Sequence, residues 1–172
     1  VLVTDINLSA ASATVEAIQG KGYEAEAFKA DVCRHDEIRA MVEKAVDNWG
    51  RLDILINNAY GASAGSEGSA LDVTEEGWDN GMAILVKAIF LGAKYGVPEM
   101  QKLGGGSIVN MASVQGMFMS PERLVYQAGK AAIIGATRQM ATDFGPMGVR
   151  VNAVCPGHIV TSKYVTLWKE KP

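Results

Sequence analysis

Short apolar runs separated by stretches of helical period constrain this chain more than any other feature. They predict strand 1–5, helix 9–20, strand 24–29, helix 36–49, strand 52–56, a small-residue loop over 59–72, a long helix 75–102, strand 106–111, helix 122–144 and strand 148–154. The runs Ile54-Leu55-Ile56, Ile108-Val109 and Val149 to Val154 read as apolar on both faces, which a parallel sheet covered by helices requires. Gly20 and Gly22 can end the first helix, Gly50 the second and Gly104-Gly105-Gly106 the third. The expected fold is α/β, a doubly wound parallel sheet.

The 172 residues are 48% hydrophobic, enough for one domain spanning 1–172 with a substantial core. No apolar run approaches the ~18 residues that cross a bilayer, and the longest, over 83–93, is broken by Lys87; no membrane partner is expected. Val1-Leu2-Val3-Thr4-Asp5 has neither an initiator Met nor the pattern of a signal peptide and reads as a strand already in progress. A net charge of -3 without a basic stripe argues against nucleic acid. Cys33 and Cys155 lack the spacing of a zinc site or disulfide framework, so no metal is expected, and a reducing cytoplasm fits. Small-molecule chemistry is left as the expectation.

In open α/β sheets, ligands bind beyond the carboxyl ends of the strands. Here those ends carry Asp5, Asp31-Val32, Asn57-Asn58-Ala59, Ser113 and Pro156-Gly157, five strand ends directed at one crevice. Asp5 stands where a dinucleotide-binding fold places the acid that accepts from the adenine ribose hydroxyls and repels a 2′-phosphate, which favours NAD over NADP. Its alternative role is a helix cap or a solvated turn.

Tyr126 and Lys130 lie four apart on one helix face, where the ammonium can approach the phenol oxygen. A free Tyr titrates near ~10, and a neighbouring cation favours the phenolate, making the phenol a workable acid/base. Ser113, at the preceding strand end, can donate to a substrate oxygen or developing alkoxide. Taken alone, such a Tyr and Lys are also what a packed ring beside a surface lysine looks like.

The string Ser113, twelve intervening residues, then Tyr126-Gln127-Ala128-Gly129-Lys130 resembles the S-x12-Y-x3-K signature of the short-chain dehydrogenase/reductase family. Asp31-Val32 looks like the family's adenine-contacting pair, and Asn57-Asn58-Ala59-Tyr60 like its N-N-A-G motif with the Gly replaced. Gly106 to Asn110 and Val149 to Gly157 are similar to family strands, the second leading into the loop that embraces the nicotinamide end.

The resemblance implies a Rossmann-like oxidoreductase passing a hydride between NAD(H) and an alcohol or carbonyl. Tyr126 would be the acid/base, Lys130 would tune it and hold the nicotinamide ribose, and Ser113 would position the substrate oxygen. Asn58 and Ala59 would line the cofactor, and Ile159 and Thr161 would contact its carboxamide or phosphates. It also implies a homo-oligomer, tetramer or dimer, through the helices at 75–102 and 122–144.

Three departures qualify the likeness. The glycine-rich turn expected one helix before the first strand, and the last helix and strand expected after Pro172, lie outside the chain, so the domain is expected to be incomplete at both ends. Tyr60 replaces the motif's Gly. Leu85 stands where the family has an Asn that bends its helix and holds a water near the catalytic Lys, so Lys130 is expected to depend on backbone carbonyls or another polar side chain.

Among other candidates, His35 reads as a first-turn helix residue, His158 as a loop residue near the cleft, and Met117, Phe118 and Met119 as apolar cleft lining. Two competing readings are a non-catalytic NAD(H)-binding or scaffold protein of the same fold, and a flavodoxin-like receiver. Asp31 and Asp53 do not form the receiver's acidic cluster at the first strand.

Overall fold

Side chains in a strand alternate between two faces, so the packing of each strand follows from which alternate residues meet a helix. The computed structural model describes residues 1–61 and 63–160. In chain order the elements are β1 (Leu2–Asp5), α1 (Leu8–Gln19), β2 (Glu26–Lys29), α2 (His35–Trp49), β3 (Ile54–Asn57), α3 (Glu75–Met82), a π turn (Ala83–Lys87), α4 (Ala88–Lys102), β4 (Gly106–Met111), α5 (Leu124–Phe144) and β5 (Val149–Val154). All the predicted strands and helices are present, with ends displaced by at most a residue or two. The π turn is new, and it interrupts the predicted long helix at the segment containing Leu85.

Local chemistry sets the helix ends. Asn7 caps α1 by accepting from the Ser9 and Ala10 amides, and Thr74 caps α3 by accepting from the Gly77 amide. Gly50 ends α2 at φ 69°, a left-handed conformation that costs glycine little.

Every strand pairing is parallel. β1 pairs with β2, and β3, β4 and β5 pair in that order. β1 and β3 do not hydrogen-bond to each other; a cleft of about 530 Å³ separates them, with Thr4 and Asp5 on one wall and Ile56 and Asn57 on the other. The cleft thus lies between two separate sheets, β1–β2 and β3–β4–β5.

The core lies on one face of β3–β5. Leu55, Ile108 and Val151 are register partners across the three strands and pack with Ala93, Val97 and Met100 of α4. Ile38 of α2 packs against Ala88 and Leu91 of α4. Burying each large apolar side chain of this kind contributes about 1.5–3 kcal/mol.

Among the described residues the helices lie against one face of β3–β5. Ile54 and Ile56 are 60% and 61% exposed, and β5 alternates strictly, with Val149 and Val151 buried and Arg150 and Asn152 exposed. β5 thus has the period of a strand packed on one face only.

The helical run Glu75–Lys102, 28 residues with hydropathy 1.3 in its most apolar window, is long and apolar enough to cross a membrane by composition. A search for uninterrupted apolar runs misses it because Lys87 and Lys94 break the run but hardly lower the average. Half of that window is buried within the fold, where α4 serves as the central core helix.

A buried polar chain fastens the core beneath the strand ends. Asn110, fully buried, accepts from Asn57 Nδ2 at 2.8 Å and donates to Thr137 Oγ1 at 2.9 Å, and Thr137 donates to the Ile133 carbonyl at 2.7 Å. β3, β4 and α5 are joined at one level. Asn110→Leu keeps the volume but removes a partner from Asn57 and from Thr137; stranding a buried polar group costs about 1–3 kcal/mol. Urea unfolding should register a loss of that size, whereas an unchanged midpoint would mean that the chain carries no stability.

Candidate functional site

The strand ends place their residues around the cleft as the fold requires, but not all on one wall. Asp5, Asp31, Val32, Asn58, Ala59 and Lys130 line it together. Asp5 is exposed and its Oδ1 accepts from the Asn7 amide at 2.8 Å, so it forms a turn while Asn7 performs the capping. Asp31 accepts from the Cys33 amide at 2.8 Å, and its own amide donates to Glu37 at 2.8 Å, which fixes the loop after β2. Burial, then the charge of Asp31, pushes the Cys33 thiol above its ordinary range.

Ser113, Tyr126, Pro156, Gly157 and Ile159 are outside the wall of this main cleft. Tyr126 opens instead onto a smaller pocket that shares Tyr60, Gly61 and Leu85 with the main cleft. Ser113 is 8% exposed and its Oγ accepts from the Gln115 amide at 3.1 Å, starting a one-turn helix, Val114–Gly116. The Pro156 carbonyl accepts from the Val114 amide at 3.1 Å, tying the segment after β5 to that turn. Gly157 and Ile159 are exposed, and Thr161 lies outside the described residues.

The turn after Ser113 sits directly on α5. A Cβ on Gly116 would come within 2.8 Å of the Lys130 backbone, so only glycine allows that approach. At the other end, the Gly68 amide donates to the Glu122 carbonyl and the Leu124 amide to the Gly68 carbonyl, pinning the start of α5 to the loop after β3. Tyr126 lies in the first turn of the helix held this way.

Lys130 is 6% exposed, and its Nζ donates to the Met111 carbonyl at 2.6 Å, at the end of β4. The expected reliance on a backbone carbonyl is what the structure contains. Nζ also lies 5.7 Å from the Tyr126 ring centroid and 5.9 Å from that of Tyr60, and the two rings meet edge to face at 5.3 Å and 74°. Desolvation holds the Lys130 ammonium below the ordinary lysine range, with Cys155 acting in the opposite direction. A cation sunk among two rings and a carbonyl can support negative charge on a neighbouring oxygen more strongly than it could in water.

Leu85 is buried at 4% exposure in the π turn, and a Cβ on Gly129 would lie 2.5 Å from its Cδ1 and 2.9 Å from its Cβ. The leucine fills space that the missing side chain of Gly129 provides. Neither this fit, nor the Asn57–Asn110–Thr137 chain, nor the contact of Tyr60 with Lys130 is foreseen from the sequence. The apolar Leu85 and the helical Gly129 are the signals that together could have pointed to the first.

Similarity to known proteins covers nearly the whole chain. The profile of a family described as enoyl-(acyl carrier protein) reductase matches residues 1–171. An uncharacterized oxidoreductase of Thermotoga maritima is 44% identical over 91% of the chain, and human dehydrogenase/reductase SDR family member 4 is 39% identical over 91%. The chain spans 61% and 56% of those two relatives. Its fold matches a crystal structure of NAD+-bound xylitol dehydrogenase with TM-score 0.89 at 28% identity, covering 99% of this chain and 64% of that one.

The fit of Leu85 to Gly129 makes a stability prediction in which the sign reverses. Gly129→Ala in a helix interior should gain about 1 kcal/mol from propensity, but the clash with Leu85 costs about 1–3 kcal/mol. The single variant is expected to be less stable than wild type, and the same change to cost less in a Leu85→Ala background, which removes the Cδ1 contact but keeps Cβ at 2.9 Å. A double-mutant cycle by denaturant unfolding measures the coupling; additive effects would mean the two side chains do not share that space.

Proposed function

The chain belongs to the short-chain dehydrogenase/reductase family, and from that premise we propose that it is part of an oxidoreductase moving a hydride between NAD(H) and an alcohol or carbonyl, with Tyr126 as the acid/base. The observation that carries the proposal is the buried Lys130 ammonium, 5.7 Å from the Tyr126 ring and fixed by the Met111 carbonyl at the strand end that leads into Ser113. A structural lysine has no need to be carried into a desolvated strand end; one that supports charge on a phenol oxygen does.

The cleft suits a dinucleotide. Its lining includes both an exposed carboxylate, Asp5, and the Lys130 ammonium. Asp5, Asp31 and Val32 would hold the adenosine half, Asn58, Ala59, Tyr126 and Lys130 the nicotinamide ribose, and Pro156, Gly157, Ile159 and Thr161 the carboxamide end. When bound, nicotinamide supplies the hydride acceptor or donor.

In alcohol oxidation Tyr126 takes the hydroxyl proton, and in carbonyl reduction it returns it. Ser113 donates to the substrate oxygen, and Lys130 stabilises charge on the Tyr126 oxygen. The proposal includes a single domain over 1–172, a cytoplasmic location, and a dimer or tetramer through α4 and α5, where Phe90 of α4 is 51% exposed.

A second reading, a non-catalytic NAD(H)-binding protein, draws on the apolar Leu85 that replaces the family's polar residue beside the lysine. Following NADH absorbance with a panel of alcohols and ketones separates the two. Turnover supports the enzyme, and binding without turnover supports the second reading.

Tyr126→Phe should lower turnover by at least about 10²-fold, the range of general acid/base groups, with cofactor affinity little changed; near-normal turnover would refute its role. NAD should be preferred to NADP, because Asp5 accepts from ribose hydroxyls and repels a 2′-phosphate. Asp5→Ser should narrow the ratio of catalytic efficiencies for the two cofactors. A wild-type preference for NADP would overturn this assignment.

A further inference from the structure

Tyr60 follows Asn57-Asn58-Ala59 at the end of β3, a position far in sequence from α5, yet its ring reaches the centre of the site. It lies on the wall shared by the main cleft and the pocket beside Tyr126. Its ring meets that of Tyr126 edge to face at 5.3 Å, and its centroid is 5.9 Å from Lys130 Nζ, within the range of a cation–π contact. Each packed element brings a different neighbour to the ammonium: Met111 at the end of β4 a carbonyl, α5 itself the Tyr126 ring, and the segment after β5 Cys155, while the apolar Leu85 of the π turn fills the space beside Gly129.

No carboxylate is among the groups that act on this ammonium in the described residues. A buried cation without an anionic partner must be compensated by dipoles or ring faces. We infer that Tyr60 is a positioning residue: its ring forms one wall of an aromatic cage on the Lys130 ammonium and braces the edge of Tyr126, supplying the electrostatic support that Leu85 cannot. Its hydroxyl is not required for either task, so phenylalanine should serve in its place. The effect on turnover rests on the proposed oxidoreductase reading, whereas the effect on the lysine does not.

The decisive measurement is an NMR titration of Lys130 with isotope-labelled lysine, its signal assigned by loss in Lys130→Met, in wild type, Tyr60→Phe and Tyr60→Leu. Tyr60 is 54% exposed, so neither variant should disturb the core. Because a cation–π contact favours the charged form, the Lys130 midpoint should fall by about half a pH unit or more in Tyr60→Leu and stay at the wild-type value in Tyr60→Phe. An unchanged or raised midpoint in Tyr60→Leu would mean that the ring acts only by excluding water, and would overturn the inference. Equal shifts in both variants would assign the effect to the hydroxyl and overturn it as well.

Turnover then separates the two claims. Given a substrate, Tyr60→Leu should lose about tenfold or more in kcat while Tyr60→Phe keeps the wild-type rate. If the midpoint falls as expected but the intact wild-type protein turns over no alcohol or carbonyl, the inference stands and the oxidoreductase reading fails. If wild type turns over and the midpoint does not move, only the inference fails.

Discussion

A lysine ammonium that is 6% exposed has to be paid for by fixed partners, and at Lys130 the first of these is the Met111 carbonyl at 2.6 Å. That bond connects the middle of α5 to the last residue of β4, so the helix cannot slide along the sheet without stranding a charge. Other close fits act in the same direction. The Asn57–Asn110–Thr137 chain links β3, β4 and α5 at one level, and Gly116 lets the turn after Ser113 rest on the Lys130 backbone. Ser113, Lys130 and Tyr126 are thereby placed by rigid elements, as a site that must hold its geometry requires.

The same elements explain the position of the cleft. β1 and β3 flank the gap between the two sheets, and Asp5 and Asn57 at the ends of these strands both line it. α4 seals one face of β3–β5 with Ala93, Val97 and Met100, while Ile54 and Ile56 on the other face remain exposed. The π turn before α4 sets Leu85 against Gly129, and this fit brings the middle of the Glu75–Lys102 run against α5.

Much of the architecture is legible in the residues because it depends on local rules. Gly50 suits a left-handed helix end, and the apolar pattern marks all five strands and four helical stretches, the third of which holds both α3 and α4. The π turn is not legible, since an inserted residue in a helix leaves the apolar period nearly unchanged across so short a segment. The alternation within β5 is legible, with Val149 and Val151 buried and Arg150 and Asn152 exposed.

The sequence by itself determined that Tyr126 and Lys130 share a helix face, that Ser113 follows a strand, and that Asp5, Asp31 and Asn58 stand at strand ends on one side of a parallel sheet. These follow from helical and strand periods, which act over a few residues. Only the tertiary structure decided that Lys130 bonds to Met111, that Tyr60 leans on both Tyr126 and Lys130, and that Gly129 makes room for Leu85. Those contacts join segments far apart in the chain. Their distances are set by how whole helices and strands pack together, and no local pattern contains that information.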